Sequence, residues 1–173
     1  MEKRLATLQD LDDLKQFYSE VIEHQKLDDY TADWHMGVYP SDQDFLSHIE
    51  NNEFYIGLDD GNIAAAGVLT NGDDPIYSKV VWHHPVNSEE VTIIHLFTVS
   101  PNYRRKGYSR EMLQYIIDVA KEKGFKAIHL DVAYGNLPAE KLYAKLGFEF
   151  TDTLEVYYED TGDMKVDVME LML

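Results

Sequence analysis

No cysteine occurs among the 173 residues. Disulfides, thiolate metal sites and a cysteine acyl-enzyme are therefore all excluded. Prolines number only five, and no Pro/Gly-rich linker, repeat or low-complexity tract divides the chain. Its length suits a single domain over residues 1–173. No apolar run approaches the ~18 residues of a membrane-spanning helix, and mean hydropathy is only −0.37. The first residues, Met-Glu-Lys-Arg-Leu-Ala-Thr, lack the apolar stretch of a secretory leader. A cytoplasmic protein without a membrane partner is expected. Basic residues are scarce too, 15 against 32 acids, for a net charge of −17. A nucleic-acid partner is not expected, because phosphate neutralisation needs a basic face.

Apolar residues, 45% of the chain, suffice for a core. A short strand is expected over 3–8. A helix over 10–25 follows, with Leu11, Leu14, Phe17, Tyr18, Val21 and Ile22 at one-sided spacing. Residues 26–40 read as irregular. Ser41 with Asp44 resembles a capping box opening a helix to about Asn51. Strands at 53–58 and 63–70 flank Asp59-Asp60-Gly61-Asn62, a hairpin signal. A strand is expected at 76–82, then a polar stretch at His83-His84-Pro85, then a long strand over 91–99. The spacing of Met112, Leu113, Ile116, Ile117 and Ala120 predicts a helix over 107–123, closed by Gly124. Ala127–Val132 reads as a nearly continuous apolar strand. Asn136 and Pro138 open a short helix ending at Gly147, and the tail shows strands at 148–153, 154–158 and 165–173. The central strand–helix–strand–helix implies a parallel pair with a right-handed crossover, between antiparallel flanks. The fold class is mixed α/β.

Charge is unevenly spread. Between Pro101 and Lys126 seven lysines and arginines face three acids, a local +4 that leaves −21 for the rest. Arg104-Arg105-Lys106 stands at the start of a helix, where unpaired N–H groups and the helix dipole receive phosphate oxygens. Gly107 and the small Ser109 let the backbone approach an anion, and Ser109 adds a hydroxyl. By its own chemistry this turn is an anion cradle or a solvated basic loop.

Val99-Ser100-Pro101-Asn102-Tyr103-Arg104-Arg105-Lys106-Gly107-Tyr108-Ser109 resembles the acetyl-CoA signature of the GCN5-related N-acetyltransferases, Val-x-Pro followed by Arg/Gln-x-x-Gly-x-Gly/Ala. Ser109 departs from the last position. Asn136 and then Ala139-Glu140-Lys141-Leu142-Tyr143-Ala144-Lys145-Leu146-Gly147-Phe148 resemble the family's closing motif, in the correct order. The resemblance implies a central mixed sheet of about six or seven strands with four helices. It implies acetyl-CoA as co-substrate, held by backbone at Phe97, Thr98 and Val99, by the turn Arg104, Arg105, Lys106, Gly107, Tyr108 and Ser109, and by Asn136 and Tyr143. The implied reaction is acetyl transfer to a small or peptide-like amine by direct attack in a ternary complex. A silent coenzyme-A sensor and a protein acetylase are the alternatives.

Acyl transfer to an amine requires the amine to lose a proton, the carbonyl to be polarised and the thiolate to be protonated. The resemblance makes Tyr143 the candidate acid; its other reading is a core aromatic. The Val99 N–H is the candidate carbonyl polariser. His95, with an ordinary pKa of about 6.5, is the candidate base, a water being the alternative. Alternation along the strand places His95 and Val99 on one face. Where other family members hold a glutamate, this chain has Ile93. Trp34, His35 and Tyr39 fall where the family places acceptor loops, and aromatics at an acidic mouth suit a cationic amine. His83, His84 and His95 share no ligand spacing, so no metal is expected. A homodimer is compatible with the sequence.

Overall fold

The computed structural model describes residues 1–158 and 162–173. In chain order these form β1 (Glu2–Leu5), α1 (Leu11–Gln25), α2 (Asp42–Glu50), β2 (Phe54–Asp59), β3 (Asn62–Asn71), β4 (Val91–Val99), α3 (Tyr108–Glu122), β5 (Ala127–Ala133), α4 (Leu137–Lys145), β6 (Glu149–Tyr158) and β7 (Gly162–Met172). The strands make one mixed sheet in the order β1-β2-β3-β4-β5-β7-β6. Only β4 and β5 run parallel, joined through α3. The result is a mixed α/β single domain.

Helices cover both faces of the sheet. Leu14, Phe17, Tyr18 and Val21 of α1 and Phe45 and Ile49 of α2 pack on Phe54, Ile56, Ala66, Val68 and Leu96. On the other face Met112, Leu113, Ile116, Ile117 and Ala120 of α3 join Tyr143 of α4 over Tyr55, Leu69, Ile94, Ile128 and Leu130. The apolar spacing of each helix thus selects its face. Ser41 caps α2 as its sequence suggests: its N–H donates to Asp44 Oδ2 at 2.7 Å, and Asp44 N–H donates to Ser41 Oγ at 3.2 Å. Asn136 caps α4, accepting from Ala139 N–H at 3.3 Å.

Three expectations need correction. Residues 76–82 do not form a strand. Asp74 accepts the N–H of Ile76, Pro75 starts a 3-10 turn through Tyr77, and β3 already pairs with β4 from Ala65 to Asn71. Apolar residues of this segment instead pack onto the sheet face, where Tyr77 meets Ile93 and Val168. We refer to residues 72–90 as the strap. Second, the tail strands at 148–153 and 154–158 are one strand, β6, whose alternation is broken by a bulge between Phe150 and Asp152. Third, the first strand ends at Leu5, because Thr7 turns into a short 3-10 segment over Leu8–Asp10.

Two irregularities in the sheet create the site. β4 pairs with β5 only over Val91–Ile93, although β4 continues to Val99 and β5 to Ala133. The strands therefore diverge into a wedge. Opposite, the β3–β4 register slips between Ala66 and Val68, where Leu96 adopts φ 50°. Gly67 fits closely there, since a Cβ would lie 2.9 Å from the end of the Ile116 side chain of α3 and force it to shift. The slip also reverses the alternation of β4. Ile94, Phe97 and Val99 share the α3 face, whereas Leu96 lies on the α1 face. His95 and Val99 consequently lie on opposite faces, against the expectation from simple alternation.

Candidate active site

The Arg104–Ser109 turn leads directly into α3. Arg105 has φ 64° and Gly107, the N-cap, has φ 83°. The first intrahelical bond runs from Glu111 N–H to Gly107 O at 3.1 Å. The amides ahead of it therefore face outward, as an anion site requires. A Cβ at Gly107 would meet nothing within 4 Å. Glycine is needed there for its left-handed backbone rather than for room.

Two cations of this turn, Arg104 and Lys106, are engaged by carboxylates of the chain itself. Arg104 donates with both guanidinium nitrogens to Asp28, at 2.7 and 2.6 Å. Lys106 lies 3.3 Å from Asp59, which also accepts the Tyr108 hydroxyl at 2.9 Å. The Arg104 contact holds Asp28 below the usual carboxylate range, and the Tyr108 hydroxyl followed by Lys106 does the same for Asp59. Ser109 is half-buried in the first helical turn.

Along β4, Ser100 N–H donates to Ala64 O on β3 at 2.9 Å. N–H groups alternate along a strand, so those of Val99 and Phe97 point away from β3 into the wedge. Thr98 pairs with Ala66 of β3. A cavity of about 590 Å³ occupies the wedge. From the α3–α4 side it is lined by Phe97, Val132, Asn136, Ala139 and Tyr143. Tyr143 is 7% exposed, and its hydroxyl has no hydrogen-bond partner among the described residues. Burial and then the charge of Asp131 push its pKa above the ordinary phenol value.

The opposite face supplies the remaining wall. Trp34 and Tyr39 line the cavity from the 26–40 segment, Asp44 and His48 from α2, Asp74 and Ile76 from the strap, and Asp131 and Tyr158 from β5 and β6. His35 does not line it: its side chain is exposed, and its N–H donates to Tyr39 O at 3.1 Å in a tight turn. His95 faces the cavity, with Nε2 3.1 Å from Thr70 Oγ1. Burial lowers its pKa, and Asp131 and Asp74 oppose that shift. It is therefore a neutral imidazole at neutral pH, able to accept a proton.

Sequence reasoning missed Asp131. Ile128, Leu130 and Val132 bury on the α3 face, so His129 and Asp131 point the other way. Two polar residues two apart in an otherwise apolar strand were the available signal. The hydroxyls of Tyr77 and Tyr158 donate to separate oxygens of Asp131, the latter at 3.1 Å. His129 stacks on Trp82 of the strap with ring centroids 3.4 Å apart, and His84 Nδ1 lies 2.9 Å from Glu170. These contacts hold the strap to the sheet. No group of three or more His, Cys, Asp or Glu among the described residues could hold a metal ion.

Comparison with known proteins fits this geometry. The family model described as Acetyltransferase (GNAT) family matches residues 14–148. The probable N-acetyltransferase san of Drosophila melanogaster is 34% identical over 127 residues, covering 71% of this chain and 67% of that protein. The ribosomal protein bS18-alanine N-acetyltransferase of Escherichia coli is 33% identical over 73 residues, 42% of this chain and 49% of that enzyme. Among solved structures, a ribosomal-protein-alanine N-acetyltransferase from Brucella melitensis superposes with a TM-score of 0.76 at 18% identity over the full length of both chains. The Salmonella typhimurium acetyltransferase yncA, solved with acetyl-CoA, gives 0.73 at 17% identity, over 100% of this chain and 94% of that one. With its helix-capping turn, split parallel strands and buried tyrosine in the matched segment, the chain belongs to the GNAT family of acetyltransferases and is an N-acetyltransferase that uses acetyl-CoA.

Proposed function

We propose that this enzyme acetylates an amine by direct attack in a ternary complex, with Tyr143 as acid and His95 as base. The observation that carries this reading is the Tyr143 hydroxyl, which opens onto the wedge cavity without a partner among the described residues while ring packing fixes its place beside Phe97 and Phe148. A hydroxyl held at that point is free to donate to a ligand atom.

The backbone turn at Arg104–Ser109 would hold the pyrophosphate, and the Phe97 and Val99 amides the pantetheine arm. The Val99 N–H would then polarise the thioester carbonyl in the manner of an oxyanion donor. The neutral His95 imidazole takes the acceptor's proton, directly or through water. The Tyr143 phenol gives a proton to the leaving sulfur; burial keeps it protonated until that moment. In this reading the two faces divide the labour: the wedge is walled by α4 on the side proposed for coenzyme A, and by the 26–40 segment, α2 and the strap on the side proposed for the acceptor.

The acceptor is a small or peptide-like amine. Relatives named for an alanine of a ribosomal protein and for streptothricin support an acceptor of this class. The setting proposed is cytoplasmic. The deciding measurement is thiol release from acetyl-CoA with an amine panel. If acetyl-CoA binds yet no amine releases thiol, the chain is a coenzyme-A-binding module and the catalytic reading fails.

A further inference from the structure

Asp131 lies at the acceptor end of the cavity, on the sheet face covered by the strap. Tyr77 is essentially buried, at 1% exposed, and is carried there by the strap; Tyr158 comes from the far end of β6. Each phenol donates to a different oxygen of the one carboxylate. A carboxylate has about four lone-pair sites. Two donors therefore orient Asp131 and leave acceptor capacity on both oxygens.

The rest of the lining agrees in sign. The acidic residues lining this cavity are Asp44, Asp74 and Asp131, the histidines are His48 and His95, and no lysine or arginine lines it among the described residues. His48 is engaged with Glu53 at 2.7 Å, and Asp74 Oδ1 accepts the Ile76 N–H at 2.9 Å. Tyr143 supplies an independent sign of a ligand in the same space: the residue is more than nine-tenths buried, and its hydroxyl, unpaired among the described residues, opens on the same cavity.

We infer that Asp131 is the counterion that receives the acceptor as an ammonium ion, with Tyr77 and Tyr158 as its positioning residues, so that the enzyme selects cationic amines over neutral or anionic nucleophiles. This rests on the acetyl-transfer reading above and names its substrate class. Trp34 and Tyr39 line the same cavity, and aromatic rings attract a cation. The arrangement separates binding from deprotonation. A carboxylate beside an ammonium favours the charged form, so Asp131 strengthens capture and leaves proton removal to His95. The bound ammonium first gives one proton to His95, which frees the nitrogen lone pair. The amine then forms the new bond to the acetyl carbon, and the carbon–sulfur bond breaks with the sulfur taking the Tyr143 proton. The second proton shed by the nitrogen restores the Tyr143 phenol, directly or through water.

The test uses the full chain with acetyl-CoA and two nucleophiles of similar shape. One is an alkylamine that is cationic at the assay pH; the other is a hydrazide that is neutral there. A hydrogen bond to a charged group corresponds to about a 10- to 100-fold effect. Asp131→Asn should raise KM for the alkylamine by about that factor, and the penalty for the hydrazide should be at least about tenfold smaller. Asp131→Glu should restore part of the loss. Tyr77→Phe and Tyr158→Phe should raise the alkylamine KM by about three- to tenfold, with kcat little changed.

Equal penalties for the two nucleophiles, or a rise in the acetyl-CoA dissociation constant, would overturn the inference. Calorimetric binding of the alkylammonium to the coenzyme-A-loaded protein gives a readout independent of turnover. Wild-type binding that Asp131→Asn weakens supports the counterion even if no thiol is released, an outcome that sinks only the transferase reading. Absence of ammonium binding in a wild type that turns over the hydrazide sinks the counterion alone. Should Asp131→Asn fail to fold, Tyr158→Phe, on the edge strand, carries the comparison.

Discussion

The two halves of the cavity are built on different principles. The half proposed for the cofactor is one continuous stretch, from β4 through the turn and α3 to α4, and it offers backbone: left-handed residues at Arg105 and Gly107, free amides at the helix start, and the unpaired edge of β4. The acceptor half is assembled from side chains of the 26–40 segment, α2, the strap, β4, β5 and β6. Backbone geometry is set by local steric rules and tolerates changes of side chain. A side-chain wall drawn from six segments can be rebuilt piece by piece for another acceptor.

The sharpest way to break this comparison is Tyr143→Phe, where the halves meet. kcat should fall about 100- to 1,000-fold, the range for loss of a positioned general acid, while the acetyl-CoA dissociation constant measured by calorimetry changes little. Full retention of kcat would leave Tyr143 as a core aromatic only. Gly107→Glu tests the cofactor half alone. A left-handed residue with a side chain costs about 1–2 kcal/mol, and a carboxylate is added at an anion site. Acetyl-CoA affinity should drop about 100-fold, and unchanged binding would remove the turn from the site.

His95→Gln tests the acceptor half and should lower kcat/KM about 100-fold, the low end for a general base. Burial lowers the His95 pKa, so in the wild type kcat/KM should fall only as pH drops below the ordinary histidine value of about 6.5; the variant should lose that acid limb. The sign for stability is the same. Burial favours the neutral ring, so its contribution is complete above the ordinary value and is lost as pH falls through the lower folded one. Urea unfolding of wild type and variant at pH 7 and pH 5 would show it.

The smallest effect concerns the carboxylates that occupy the turn's cations. Asp28→Asn frees Arg104, and Asp59→Asn frees Lys106 and Tyr108. The Arg104–Asp28 pair is only partly exposed, yet such pairs are worth at most about 1 kcal/mol. Asp28→Asn should therefore tighten acetyl-CoA binding about two- to fivefold, and less at high salt. Weaker binding would mean that Asp28 supports the turn instead of competing for it.

Most of the cofactor half was legible from residues 91–148, because each part is local. Gly107 signals its φ, the apolar spacing of α3 gives its face, and Asn136 and Ser41 announce their caps. The acceptor half was legible only in fragments. Trp34 and Tyr39 reach the cavity but His35 turns outward, since a tight turn sends neighbouring side chains apart. Asp131 was read as part of an apolar strand. Tyr77, in a segment expected to be a strand, and Tyr158, among the tail strands, gave no hint that they share one carboxylate.

What the sequence determined by itself was most of the order of elements, the amphipathic faces and a helix start with the left-handed turn an anion site requires, all set by steric and capping rules acting within a few residues. Tertiary structure alone decided which faces meet. The slip opposite Gly67 reverses the alternation of β4 and parts His95 from Val99. The early divergence of β4 from β5 opens the wedge. The strap, barred from the sheet because β3 already has its partner, folds over the face and brings Tyr77 to Asp131. Those outcomes depend on pairings between residues far apart in the chain, and no local pattern encodes them.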